Sequence, residues 1–161
     1  MAGGYLRVDS DVPARVLGAG RRQTAPTASA ILIVGAALLI ASAVIHLHLW
    51  ATGYRHIGTI GPLFFTQGAV GIFLSILIAL VRRIFVALLG ALFELGTLLG
   101  LLLACHGGLF GYQTTLSAPW AKTSLGVEAA SVVALVAGGL LAVLAERAHL
   151  RRWRSLKFPQ S

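Results

Sequence analysis

Four long apolar runs, separated by short polar stretches, make up most of this chain. They cover 28–50, 62–81, 84–104 and 125–145, and each is close to the roughly 20 apolar residues that a membrane-crossing helix needs. From Pro62 to Ala104 the apolar pattern continues for 43 residues. As unbroken helix that stretch would be about 64 Å long, twice the hydrocarbon thickness of a bilayer. The chain must therefore turn back at Arg82 and Arg83, although neither Gly nor Pro marks the place. Pro62 stands in the first turn of its run, where its missing N–H costs nothing. The pattern predicts an all-α fold: a four-transmembrane-helix bundle over 28–146 with short loops, a flexible amino tail (1–27) and a basic carboxyl tail (147–161). The run from Ala28 to Trp50 is longer than a signal-peptide core and lacks a small-residue cleavage site, so it reads as a retained span.

Composition agrees with a bilayer location. Hydrophobic residues make up 57% of the 161 positions and charged residues 11%, against roughly 25% charged in a soluble domain. The mean hydropathy is +0.86. The formal charge of +8 does not suggest nucleic-acid binding, because the basic residues sit at the ends of apolar runs and not along one polar face. They read as topology signals. The amino tail holds Arg7, Arg15, Arg21 and Arg22, the second turn holds Arg82 and Arg83, and the carboxyl tail holds Arg147, Arg151, Arg152, Arg154 and Lys157. Only Arg55 and Lys122 fall on the other side. The positive-inside rule then expects both termini in the cytoplasm. The carboxyl tail interleaves its cations with Leu150, Trp153, Leu156 and Phe158, which suits anionic lipid at the cytoplasmic leaflet.

Helices in lipid associate through small residues and polar contacts. Candidate seams are Gly35, Ser42 and His46 in the first span, Gly71 and Ser75 in the second, Gly96 and Gly100 in the third, and Ala134, Gly138 and Ala142 in the fourth. They favour a compact bundle, and they fit self-association or contact with other membrane proteins equally well.

Candidate chemistry begins with Glu94, ten residues from either end of its run. An acid at that depth costs a few kcal/mol or more unless it is neutral, paired or facing water. It is expected to face the bundle or an oligomer interface, with Ser42 or Ser75 as hydrogen-bonding partner. His46, Gln67, Glu128 and His106 map to the outer half and are expected to form one polar layer beneath the outer loops. Glu128 has an alternative reading as a carboxylate in the first turn of the fourth span, complementing the positive helix end. His46 and His48 point about 200° apart on a helix, so they cannot share an ion. No catalytic motif and no metal-ligand spacing is present, and a single cysteine, Cys105, excludes an internal disulfide. Any cofactor is left unknown.

The loop stretches HLWATGYRHIGTIGPLFFTQG (His48 to Gly68) and GLFGYQTTLSAPWAKTSLGVEAAS (Gly108 to Ser131) resemble small four-span membrane proteins of actinobacteria that have no assigned activity. The resemblance implies a plasma-membrane protein and supplies no catalytic residue. Three classes of function stay open: a non-enzymatic accessory or structural subunit of a membrane assembly, a small proton- or cation-coupled transporter using Glu94, and a redox or metal-binding protein using the outer histidines. Small multidrug-resistance transporters also combine four short spans with one buried glutamate, an analogy of architecture only.

Overall fold

The computed structural model describes the backbone of residues 26–157 and the side chains of 26–151. Residues 1–25 of the predicted amino tail, and within the carboxyl tail Phe158 and beyond, lie outside the described residues, while Pro26 and Thr27 of that tail already belong to the first helix. Four helices account for the fold: α1 (Pro26–Thr52), α2 (Ile60–Val81), α3 (Ile84–His106) and α4 (Ala121–Lys157). All four are long and apolar enough to cross a membrane. The protein is an all-α, multi-pass membrane bundle.

The turn between α2 and α3 takes only two residues. Arg82 adopts a left-handed conformation (φ 48°) and its N–H bonds the Ile78 carbonyl, while Arg83 is extended and opens α3. The Arg82 guanidinium then donates to the Ala79 carbonyl and to Ser29 Oγ at the start of α1. Side-chain hydrogen bonds thus close a corner that lacks Gly or Pro. At the opposite end, the α1–α2 connection is a short 3₁₀ turn, Tyr54–His56. Gly61 fits under it because a Cβ there would lie 2.7 Å from the Arg55 carbonyl oxygen. We call the two ends of the bundle the arginine end and the loop end.

α1 is the central element, packed against α2 on one side and α4 on the other, and α4 in turn packs on α3. α2 and α3 touch least among these neighbouring pairs. Toward the arginine end the packing is dry. Leu32, Leu39, Ile78, Ala87 and Leu135 are almost fully buried together. α1 and α4 interlock there in a reciprocal way: Leu135 fills the space where Gly35 has no side chain, and Leu32 does the same over Gly138. The first- and fourth-span seams therefore meet each other, as dispersion-driven packing between lipid-soluble helices requires.

Two expectations need correction. Gly96 and Gly100 do not form a helix–helix seam within this bundle. A Cβ on Gly96 would meet nothing within 4 Å, and one on Gly100 only the tip of Leu109 at 3.7 Å. The fourth helix also begins earlier than its apolar run, at Ala121, and its first turn holds no acid. Glu128 lies seven residues, about 10 Å, into the helix. That is beyond the first-turn reach of the helix dipole, so capping does not account for it. At its other end α4 continues through the predicted basic tail to Lys157. Arg147 and Arg151 are exposed, and the side chains of Arg152, Arg154 and Lys157 lie outside the described ones.

Candidate functional site

The polar residues of the spans gather in a column running from mid-depth to the loop end. Buried within it are Ser42 and His46 from α1, Ser75 from α2, Glu94 and Thr97 from α3, and Ser124, Glu128 and Ser131 from α4. Most of the hydroxyls spend their proton locally. Ser75 donates to the Gly71 carbonyl at 2.7 Å, Thr97 to the Glu94 carbonyl at 2.8 Å, and Ser131 to the Gly35 carbonyl at 3.3 Å. The first two stay on their own helix and satisfy a hydroxyl without a second one, whereas Ser131 ties α4 to α1.

The two carboxyls are different. Glu128 is 1% exposed, and its Oε1 accepts a 2.7 Å hydrogen bond from Ser124 Oγ. Its Oε2 has no partner. His46 faces the same carboxyl, with Nε2 3.7 Å from Oε1. The other ring nitrogen, Nδ1, sits 2.9 Å from the Ser42 carbonyl. A carbonyl only accepts, so Nδ1 carries the proton, and Nε2 of the neutral ring presents a lone pair toward Glu128. Glu94 lies deeper and is fully buried. Glu128 and the Ser42 hydroxyl are in electrostatic reach of it, yet neither of its carboxyl oxygens makes a hydrogen bond.

Above this pair the bundle opens into a cavity of about 580 Å³. Glu128, Ser124, His46, Gln67 and Thr97 contribute its polar groups, and Phe64, Leu92, Phe93, Leu99 and Leu103 much of its apolar wall. Its walls come largely from α3 and the loop that follows it, with Leu63, Phe64 and Gln67 of α2 and Ser124 and Glu128 of α4 completing the enclosure. Gly96 and Gly100 line it too, which is what the third-span glycines do in place of packing. At the mouth the two loops clasp. Tyr54 stacks on Phe64 with ring centroids 4.9 Å apart, and the Tyr112 hydroxyl donates to the Tyr54 hydroxyl at 3.1 Å. Burial, with the Tyr112 hydroxyl beside it, pushes the Tyr54 phenol up to about 12. Trp120, held at φ 68° just before α4, covers another part of the wall and meets His48 edge to face.

The outer polar residues thus divide. His46 and Glu128 come together, and Gln67 lines the same cavity without a hydrogen bond to either. His106 stands apart: its ring is exposed, bonds only the Leu102 carbonyl of its own helix at 2.9 Å, and does not line the cavity. One residue per side chain of a helix end is all the depth argument reports, and His106 faces away from the axis. No group of three or more His, Cys, Asp or Glu side chains suited to a metal ion converges among the described residues. Thr97 and Ser124 belong to the site and went unnoticed in the sequence. Their signal was available, since each lies one helical turn from a buried glutamate on its own helix.

Comparison with protein-family models, with curated proteins and with solved structures found no match for this chain.

Proposed function

We propose that this protein binds lipophilic cations in the cavity walled by α3 and the loop that follows it, with Glu128 as the counter-charge, and exchanges each bound cation for a proton. The observation that carries this reading is the Glu128 carboxyl. It lines an otherwise largely apolar cavity, is shielded from solvent, and keeps one oxygen unpartnered. An unpaired acceptor in such a place is costly. Pockets that are mostly apolar with a few convergent polar groups are the usual form of a small-molecule site, and 580 Å³ falls in the range of drug-sized ligands.

No Lys or Arg lines the cavity among the described residues. A single charge on Glu128 or Glu94 therefore needs a proton, a protonated His46 or an arriving cation to balance it. Cation arrival and proton departure are thus two ways of meeting one electrostatic requirement. Departure has a route, because the unprotonated Nε2 of His46 faces the carboxyl at 3.7 Å and His46 also lines the cavity. The dry packing below Glu94 closes the arginine end, so the arrangement is one of binding from a single side of the bundle and not of an open channel.

The test is equilibrium binding of tetraphenylphosphonium, an apolar cation without a proton of its own, to the detergent-extracted protein. Binding is expected to weaken as pH falls, by up to tenfold per unit for one exchanged proton, and to be lost in Glu128→Gln. Binding that is absent, or indifferent to both changes, would overturn the reading. The orientation expected from the basic residues, with both termini cytoplasmic and the cavity facing the outer leaflet of the plasma membrane, is part of the proposal. An alkaline phosphatase fused after Ser161 should be inactive if it holds.

A further inference from the structure

The glycines that fail to pack are the most informative feature outside the acid itself. Gly96 and Gly100 occupy one face of α3, both line the cavity, and neither has another helix packed against it, Gly100 meeting only the tip of Leu109. Glycine in a helix interior is destabilising by about 0.5–1 kcal/mol relative to alanine, and here no helix approach compensates. What the missing side chains leave is a trough on the α3 wall, bordered by Leu92, Leu99 and Leu103. From Leu92 to Leu103 it extends about 16 Å along the helix, with Phe64 and Leu63 of α2 on the facing side. The trough runs from the loop end toward the depth of Glu94, and Glu128 lines the same space.

Resting on the function proposed above, we infer that the ligand is an amphiphile with one ammonium head and one unbranched alkyl chain, its head on Glu128 and its chain in the Gly96–Gly100 trough. A flat or branched hydrophobe would gain nothing from a narrow groove floored by two glycines, whereas a single chain fills it along its length. One chain also fits the volume better than the two chains of a bilayer phospholipid. The partly exposed leucines at the border, Leu99 at 50% and Leu103 at 56%, leave the trough continuous with the surrounding lipid, from which such an amphiphile would arrive sideways.

The experiment measures binding of an n-alkyltrimethylammonium series, butyl to decyl, to protein in phosphatidylcholine nanodiscs, with Glu128→Gln discs subtracted to remove partition into lipid. Wild-type affinity should rise roughly three- to fourfold per methylene, the worth of one buried CH₂, until the trough is full. In Gly96→Leu the rise should flatten while tetraphenylphosphonium still binds in a Glu128-dependent way, and Gly100→Ala should shorten the chain length at which the rise stops. An unchanged chain-length dependence in both variants would overturn the inference and leave the cation-binding function standing. So would loss of folding in Gly96→Leu, which would show that Gly96 packs against protein after all. Competition by phosphatidylethanolamine added to the discs would assign the trough to a two-chain lipid and also overturn it. Absence of any Glu128-dependent binding would instead remove the function on which the inference rests.

Discussion

The arginine end and the loop end of this bundle use the same residue types for opposite purposes. At the arginine end, Gly35 and Gly138 are spaces into which Leu135 and Leu32 fit, and the result is a close-packed apolar core. At the loop end, Gly96 is a space that nothing from the protein fills and Gly100 meets only the tip of Leu109, and both line the cavity that the buried Glu128, His46 and two hydroxyls also line. The contrast follows from neighbours. α1 and α4 pack along the arginine half, so a small residue on either invites the other to close in. α2 and α3 are tied by a two-residue turn at Arg82 and Arg83 and by little packing above it, so a small residue on α3 opens a cavity. A glycine in a membrane helix is a hole, and the partner helix decides whether the hole becomes a seam or a site.

The largest effects should appear at the arginine end. Leu135→Ala is expected to cost about 2–5 kcal/mol, the range for emptying a filled core position, and Gly35→Leu about 1–3 kcal/mol or more from overpacking against Leu135. Gly96→Leu should melt within a degree or two of wild type. Thermal melts of the three variants in one detergent would test the contrast, and equal losses at Gly35 and Gly96 would erase it.

Glu94→Leu and Glu128→Leu should behave unlike the core variants. Glu94→Leu removes two buried carboxyl oxygens that lack partners, so stability should hold or rise, by up to a few kcal/mol, while Glu128→Leu removes one such oxygen but also the acceptor of Ser124, so its gain should be smaller. Cation binding should fall at least tenfold in Glu128→Leu. Glu94→Gln separates a bonding role from a charge role, since Gln keeps a donor and an acceptor but cannot titrate. If proton exchange involves the deeper acid, that variant should bind cations with a flattened pH dependence.

A geometric prediction sharpens the layout of the loop end. Cysteines at positions 46 and 128, in a Cys105→Ser background, should be joined by a short bifunctional reagent, and cysteines at 106 and 128 should not. The reverse outcome would move His106 into the site and His46 out of it.

The smallest effect belongs to the clasp. Tyr112→Phe removes the 3.1 Å bond to Tyr54, worth at most about 1 kcal/mol between partly exposed hydroxyls. The melt should barely move, while the off-rate of a bound cation should increase if the loops retain it. Because Tyr54 is pushed up to about 12, its neutral form is favoured by the fold. The clasp's contribution is therefore complete below the ordinary tyrosine value near 10 and declines as pH rises through about 12.

Four apolar runs of membrane-spanning length, and a reversal at Arg82 and Arg83, are consequences of composition and distance along one chain. A 64 Å apolar rod cannot lie across a 30 Å layer, whatever its side chains do. Glu94 was marked by the same one-dimensional logic, since depth depends only on position within a run. Which way a helix turns its faces depends on its neighbours, and that is information between segments. The small-xxx-small spacing of Gly96 and Gly100 is identical whether the face meets a helix or a cavity. Glu128 looked like a helix-end carboxylate because the polar stretch before Leu125 hides four helical residues, and hydropathy reports burial in lipid but not backbone hydrogen bonding. His46 and His106 have similar depths and similar Nδ1–carbonyl bonds to their own helices. Only the packing of α1 against α4 turned one toward Glu128, while the rotation of α3 left the other outside.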